Sequence, residues 1–245
     1  MKNISRPIIG ILGVPAYDDE KNSIIALLND YKNAVVKKKC IPFMICPLLN
    51  IDYYGTKLSD IPDLTEQEKE IYKEMIDMCD GIIMPGGYRM YNFDEFMVKY
   101  AIEKNIPVLG ICMGMQLLAN IDNGSYCLEA NDTNINHKQQ SENFVHNVNI
   151  VNNTFLSEIL KEKEIRVNSN HRYHVSKVNN FTVSAYSEDG LIEGIEMPNK
   201  RFVVGLQWHP ERMIEYDENA NKIFDKFVDE CNNIKSKKYS INKSQ

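Results

Sequence analysis

The sequence has no apolar run near the length of about 20 residues that a membrane-spanning helix needs. Its first apolar stretch is short and is soon followed by Asp18, Asp19 and Glu20. We therefore expect no signal peptide, no membrane partner and a cytoplasmic location. The chain also lacks an excess of positive charge, since its formal net charge is -6 and its isoelectric point is about 5.5. This balance argues against nucleic acid as a partner.

Cysteine and histidine patterns typical of metal sites are absent. The six cysteines are scattered and include no C-x-x-C pair, which favours reduced thiols over a disulfide scaffold or a zinc site. His171 and His174 lie three residues apart, but two histidines without a third ligand make a poor metal site. We expect His137 and His146 to make structural hydrogen bonds. The sequence therefore predicts no metal and no cofactor.

The first half of the chain alternates short apolar strands with amphipathic helices. Strands are predicted at 8–12, 41–45, 80–84 and 108–111, with helices at about 24–35, 65–78 and 92–101. This alternation predicts an α/β fold with a parallel sheet covered by helices on both sides. Beyond Asn120, short strands between turn signals predict an antiparallel extension. We expect a single domain over residues 1–234 and a polar, disordered tail over 235–245.

One short stretch near the middle of the chain has the pattern of a nucleophile on a sharp turn. A buried strand leads into Gly110-Ile111-Cys112-Met113-Gly114, and the apolar residues that follow predict a helix. A side chain on so tight a turn crowds its neighbours, so the flanking positions must lack Cβ. The helix N-terminus would favour the Cys112 thiolate. The alternative is a buried cysteine between two helix-packing glycines.

A second motif follows a strand almost a hundred residues later. The strand at 202–207 leads into Trp208-His209-Pro210-Glu211. Because the histidine and the carboxylate are two residues apart at a strand end, Glu211 can hold one imidazole nitrogen while the other faces Cys112. Either motif alone is a weak signal, but the two in this order are a stronger indication of a cysteine nucleophile with a histidine base.

The motifs G-I-C-M-G-M-Q and G-L-Q-W-H-P-E, with the upstream P-G-G and residues 167–171, resemble the class I glutamine amidotransferase superfamily. Within it, the chain is most similar to the free-standing γ-glutamyl hydrolases related to γ-glutamyl-γ-aminobutyrate hydrolase, the peptidase C26 family. The resemblance covers roughly residues 7–230. It implies the flavodoxin-like class I glutamine amidotransferase fold, with a parallel core and an antiparallel extension.

The resemblance also implies roles for the motif residues. Cys112 would be the nucleophile, His209 its general base and then acid, and Glu211 the group that orients His209. The family's chemistry is attack on a γ-glutamyl amide, release of the amine from a thioester, and hydrolysis by water. The backbone N–H groups of Gly87 and Met113 are the expected oxyanion hole, whose donors are worth about 3–4 kcal/mol each. A simple tight turn at Gly86-Gly87 is the alternative.

Substrate contacts are expected from Gln116, Ser169 and His171, although Gln116 could equally be a polar residue on a helix face. The chain departs from its branch where Met113 and Arg172 stand in place of arginine and histidine, and the loop after Gly87 is short. The sequence therefore does not identify the amine that the reaction releases.

Three functions follow from this interpretation. The first is a stand-alone hydrolase acting on a small γ-glutamyl compound, either as a monomer or as a homodimer. The second is a glutaminase subunit that supplies ammonia to a separate synthetase partner. The third is a non-catalytic scaffold, against which the intact set of Cys112, His209 and Glu211 argues.

Overall fold

The computed structural model describes residues 6–49, 51–122, 127–129 and 133–242. The strands are β1 (Ile8–Leu12), β2 (Val14–Tyr17), β3 (Ser23–Ala26), β4 (Ile41–Ile45), β5 (Gly81–Met84), β6 (Val108–Ile111), β7 (Cys127–Glu129), β8 (Lys138–Gln139), β9 (His146–Ile150), β10 (Glu164–Val167), β11 (Ser169–Asn170), β12 (Tyr173–Val175), β13 (Thr182–Ser187), β14 (Ile192–Glu196) and β15 (Val203–Leu206). The helices are α1 (Asn29–Lys37), α2 (Glu66–Met78), α3 (Asn92–Glu103), α4 (Met113–Asn120), α5 (Phe155–Leu160) and α6 (Glu218–Asn242), with short 3₁₀ helices at Leu58–Asp60 and Pro210–Arg212.

The main sheet has a parallel half and an antiparallel half. Its strands follow the order β10-β9-β13-β14-β15-β6-β5-β1-β4. From β15 to β4 every pairing is parallel, and from β15 to β10 every pairing is antiparallel. β12 adds to β14 and carries β7 on its other side. This topology confirms the predicted α/β fold class, with its parallel core and antiparallel extension.

Apolar side chains cover both faces of the parallel strands. Ile83 and Leu109 pack in one buried cluster with Phe224 of α6. Their neighbours Ile82 and Val108 pack in the other cluster, against α2 and α3. Because successive strand residues point to opposite faces, a continuous apolar strand requires helices on both sides. The carboxyl ends of β5, β6 and β15 therefore remain the place for a site.

The start of the first predicted helix was wrong. Residues Ser23–Ala26 form β3, which pairs with β2 in a hairpin, and α1 begins only at Asn29. The turn of this hairpin is stabilised by Asp18, whose side chain accepts the backbone N–H groups of Glu20 and Asn22. The helical spacing of Ile24 relative to later apolar residues could not distinguish a hairpin from a helix.

Helix α6 continues to Asn242, into the segment from residue 235 that the sequence predicted as a polar tail. Lys235 lies 3.5 Å from the Asp80 carboxylate, and Lys238 donates to the main-chain oxygen of Asp77 at 2.8 Å. These contacts attach the helix to the C-terminal end of α2. In the described part of the chain, no helix has both the length and the apolar character needed to cross a membrane.

Candidate active site

Cys112 occupies a strained turn between β6 and α4. Its backbone has φ 53° and ψ −106°, a region that L-residues rarely adopt. A Cβ atom on Gly114 would lie 2.1 Å from the carbonyl oxygen of Met84, and one on Gly110 would lie 2.7 Å from the carbonyl oxygen of Gly114. The two flanking glycines are therefore needed for the reason that the sequence indicated: the turn leaves no room for a side chain beside the cysteine.

Parallel pairing brings His209 to the same sheet edge. β15 lies beside β6, and the N–H of Cys112 donates to the main-chain oxygen of Leu206 at 2.7 Å. Three residues after Leu206, the imidazole Nδ1 of His209 lies 2.7 Å from Oε1 of Glu211. His209 and Glu211 are 3% and 2% exposed, so this ion pair is screened little by solvent.

Gly86 lies between the cysteine and the imidazole. A Cβ atom built on this glycine would lie 3.0 Å from His209 Cε1 and 3.4 Å from Cys112 Cβ. The two side chains thus border one glycine, on the turn that follows β5. The phenol oxygen of Tyr31 accepts the Gly86 N–H at 2.8 Å and fixes the position of this turn.

The charges around His209 favour the imidazolium form. Burial lowers the pKa of His209, but the negative charges of Glu211 and of the Cys112 thiolate outweigh burial and raise this pKa to about 10. Arg212 Nε lies 3.7 Å from Glu211 Oε1 and adds positive charge beside the carboxylate. An imidazolium at this position would stabilise a thiolate on Cys112 when the cysteine acts as a nucleophile.

The predicted oxyanion-hole residues lie on adjacent turns. β5 pairs with β6, and a Cβ atom on Gly87 would lie 2.9 Å from Met113 Cε. Met113 is the first residue of α4, so its N–H has no acceptor within the helix. An anion beside Cys112 would also meet the positive end of the helix dipole.

The predicted substrate-binding side chains have other contacts. Gln116 is buried, and its Nε2 donates to the carbonyl oxygen of Tyr173 at 2.9 Å and to Gln207 Oε1 at 3.1 Å. Ser169 Oγ lies 3.2 Å from His137 Nδ1, and His171 lies within the same buried cluster of histidines. The contacts that the structure gives these three side chains are therefore structural.

Two residues near the site were missed by the sequence analysis. The amide of Asn168 holds the main chain of His209, and the phenol of Tyr31 holds Gly86. Asn168 lies within the segment that carried the family resemblance, which was a usable signal. Tyr31 had none, because its helical spacing indicated only a core position.

The main chain of Asn170 also reaches the site. Its carbonyl oxygen lies 4.0 Å from the Cys112 sulfur. β11 therefore borders the cysteine through its backbone.

Comparisons with known proteins indicate the family to which the chain belongs. The peptidase C26 family model matches residues 89–211, which include Cys112, His209 and Glu211. The glutamine amidotransferase-like protein RP404 of Rickettsia prowazekii is 31% identical over 62% of this chain and 77% of its own length. CTP synthase of Mesoplasma florum is 30% identical over 67% of this chain but only 36% of its own length.

A solved structure supports the fold. The glutaminase domain of CTPS from Trypanosoma brucei, with bound acivicin, aligns with a TM-score of 0.58 at 17% identity and covers 91% of this chain and 93% of that domain. At this identity the likeness shows the fold alone. Taken with the family match and the relatives, these findings show that the chain belongs to the peptidase C26 family of class I glutamine amidotransferase-like hydrolases.

Proposed function

We propose that this protein hydrolyses a γ-glutamyl amide, with Cys112 as the nucleophile, His209 as the general base and acid, and Glu211 as the residue that orients the imidazole. The observation that carries the proposal is the position of Cys112 on its strained turn, across Gly86 from an imidazole that Glu211 holds at 2.7 Å. Family membership supports a hydrolase that acts on a glutamine-like amide.

The first step uses the ion pair. The Cys112 thiolate attacks the amide carbonyl carbon, and the carbonyl oxygen becomes an oxyanion that the N–H groups of Gly87 and Met113 are placed to bind. The imidazolium of His209 then donates its Nε2 proton to the leaving nitrogen. The C–N bond breaks, and the amine departs from a thioester on Cys112.

The second step reverses the proton transfer. The now neutral imidazole of His209 takes a proton from a water molecule, which attacks the thioester carbonyl. The C–S bond breaks, glutamate or its derivative leaves, and the thiolate and imidazolium are restored. Glu211 stabilises the positive charge on His209 in both steps.

A second candidate function is a glutaminase subunit that supplies ammonia to a synthetase. The observation that favours it is the similarity to CTP synthase, of which this chain covers only about a third. The side chain of Tyr88, which directly follows Gly87, is 90% exposed. An aromatic side chain so placed is available to a docking partner at the mouth of the site.

The two functions are separated by turnover of the isolated protein. Purified full-length chain is incubated with glutamine and with a panel of γ-glutamyl amides, and released glutamate and amine are quantified. The hydrolase proposal expects turnover of at least one γ-glutamyl amide without a partner. Glutaminase activity that rises only when a synthetase is added would favour the second function.

The matched control is Cys112→Ala, which removes the attacking atom and leaves the surrounding buried apolar surface. Activity that survives in Cys112→Ala would show that a contaminant or another site is responsible. If the wild-type chain turns over nothing, alone or with a partner, the enzymatic proposal fails and the scaffold function stands.

A further inference from the structure

Three histidines and one glutamate converge in a buried cluster outside the Cys112–His209–Glu211 set. The cluster is formed by His137, His146, His171 and Glu193, which come from four different segments between residues 137 and 193. Their exposures are 3%, 2%, 5% and 0%. One ligand atom from each residue lies within 4.8 Å of the others. The sequence analysis treated the first two histidines as structural and found no third partner for His171.

In each histidine, the ring nitrogen farther from Glu193 (the outer nitrogen) already has a hydrogen-bond partner. His146 Nδ1 lies 3.1 Å from the carbonyl oxygen of Asn147, and His171 Nδ1 lies 3.0 Å from that of Tyr173. His137 Nε2 lies 3.0 Å from the carboxylate of Asp189. Because these partners accept hydrogen bonds, each outer nitrogen must carry the proton and donate it. Metal-binding histidines typically have such a partner on the ring nitrogen away from the ion.

The other nitrogen of each neutral imidazole (the inner nitrogen) therefore carries a lone pair, and it faces Glu193. Oε1 of Glu193 lies 3.3 Å from His171 Nε2, 3.9 Å from His146 Nε2 and 3.8 Å from His137 Nδ1. Among the described residues, neither carboxylate oxygen has a hydrogen-bond donor, and the two Nε2 atoms have no hydrogen-bond partner. A buried carboxylate without donors is costly, and neutral acceptors aimed at it do not reduce that cost.

Protonation of the histidines would not stabilise this cluster well. Satisfying all three inner nitrogens with protons would place three imidazolium charges around one carboxylate in a buried volume. The ring centroid of His137 lies 4.7 Å from that of His146 and 4.7 Å from that of His171, so these charges would repel strongly. A divalent cation would satisfy all four groups together.

We propose that His137 Nδ1, His146 Nε2, His171 Nε2 and a carboxylate oxygen of Glu193 form a structural zinc site. Three neutral imidazoles and one carboxylate are a donor set that suits zinc. Ligand atoms at about 2.0–2.2 Å from a tetrahedral zinc lie roughly 3.4 Å apart. The observed separations to Glu193, between 3.3 and 3.9 Å, need only small side-chain movements to reach this geometry. Ser169 Oγ, now 3.2 Å from His137 Nδ1, would turn away from that nitrogen.

The site would fix the segment that borders Cys112. His171 directly follows β11, which pairs with β8 next to His137. In the same segment, Asn168 holds the main chain of His209. A metal at the cluster would therefore attach this segment to β9 and β14 and act on the candidate active site through position alone. The inference does not depend on the proposed hydrolase activity.

Metal content of the full-length chain tests the inference directly. Metal-free protein is dialysed against zinc, and bound metal per chain is measured by mass spectrometry. Cobalt is then substituted to record the visible bands of a tetrahedral site. We expect one zinc per chain, and at least a tenfold weaker affinity in Glu193→Gln and in His146→Gln. Asp189→Asn, which changes the hydrogen-bond partner of His137 and none of the four ligands, should weaken binding by about 10- to 100-fold.

The matched control is His174→Gln, which removes a histidine of the same segment that lies outside the cluster and should retain one zinc per chain. If a ligand variant does not fold, the cobalt spectrum of the wild type and the Asp189→Asn affinity still decide the question. A folded wild-type chain that takes up no zinc overturns the proposal. It is also overturned if Glu193→Gln and His146→Gln bind zinc as tightly as the wild type, because the metal would then lie elsewhere.

Discussion

The side-chain amide of Asn168 bonds to both hydrogen-bonding groups of the His209 main chain. Its Oδ1 accepts the His209 N–H at 2.8 Å, and its Nδ2 donates to the His209 carbonyl oxygen at 2.9 Å. Asn168 is 6% exposed, so water cannot readily replace either bond. The imidazole is thus fixed twice, by Asn168 through its backbone and by Glu211 through its ring.

The first prediction concerns this contact. Asn168→Asp replaces the donor to the His209 carbonyl with an acceptor, which should shift the imidazole and lower kcat by about 10- to 100-fold. Asn149→Asp makes the same change at an exposed position of β9 and should leave kcat unchanged. Steady-state kinetics of both variants check the prediction, and equal activities would show that Asn168 does not position the histidine.

The second prediction concerns pH. Since Glu211 and the Cys112 thiolate raise the pKa of His209 to about 10, the folded imidazole should stay protonated at neutral pH. In Cys112→Ala the pKa of His209 should fall, because one of the two negative charges is removed. Nuclear magnetic resonance titration of the imidazole measures both values, and a wild-type pKa near 6.5 would contradict the ion-pair account.

The same shift predicts how stability depends on pH. The folded pKa lies above the unfolded value of about 6.5, so the unfolded chain loses this proton first as pH rises. The stabilisation from His209 is therefore complete below that pH and is lost as pH approaches 10. Urea unfolding of the wild type and of His209→Gln should give free energies of unfolding that converge across this interval.

The third prediction compares two glycines. Gly86→Ala would place a methyl group 3.0 Å from His209 Cε1, so activity should fall by about 100-fold through displacement of the imidazole. Gly114→Ala would instead press against the main-chain oxygen of Met84 and should lower the free energy of unfolding by about 1–3 kcal/mol or more. Thermal unfolding and kinetics on both variants distinguish the two effects, and an active Gly86→Ala would contradict the placement.

The fourth prediction separates the roles of two triad residues. Glu211→Gln should slow turnover far less than Cys112→Ala, because the orientation of an imidazole can be partly maintained whereas the attacking atom cannot be replaced. Rates of the two variants on the best substrate of the panel are the measurement. Equal loss in both would indicate that Glu211 does more than orient His209.

Local patterns were enough to locate the candidate catalytic residues. Cys112 and His209 each follow a short apolar strand. Because neighbouring parallel strands end at the same edge of a sheet, the two motifs were expected to lie close together. The glycines around Cys112 carried the second signal, because a crowded turn needs residues without a Cβ atom. The alternation of strands and helices gave the parallel half of the sheet for the same reason.

Features that depend on distant contacts could not be predicted in this way. The four residues of the histidine cluster come from segments between 137 and 193, and only the antiparallel half of the fold brings them together. Helix α6 extends into a lysine-rich sequence because Lys235 and Lys238 form ion pairs with Asp80, which follows the end of α2. Ile24 has helical spacing but lies in β3, because the Asp18 turn closes a hairpin.

The most direct test of the account is covalent labelling of the full-length chain with acivicin, followed by mass mapping of all six cysteines. The account predicts that one cysteine, Cys112, is modified and that glutamine slows the reaction. Buried Cys40, Cys79 and Cys231 serve as internal controls, because burial raises the pKa of each thiol and keeps it protonated. Modification of any cysteine other than Cys112, with Cys112 left intact, would contradict it.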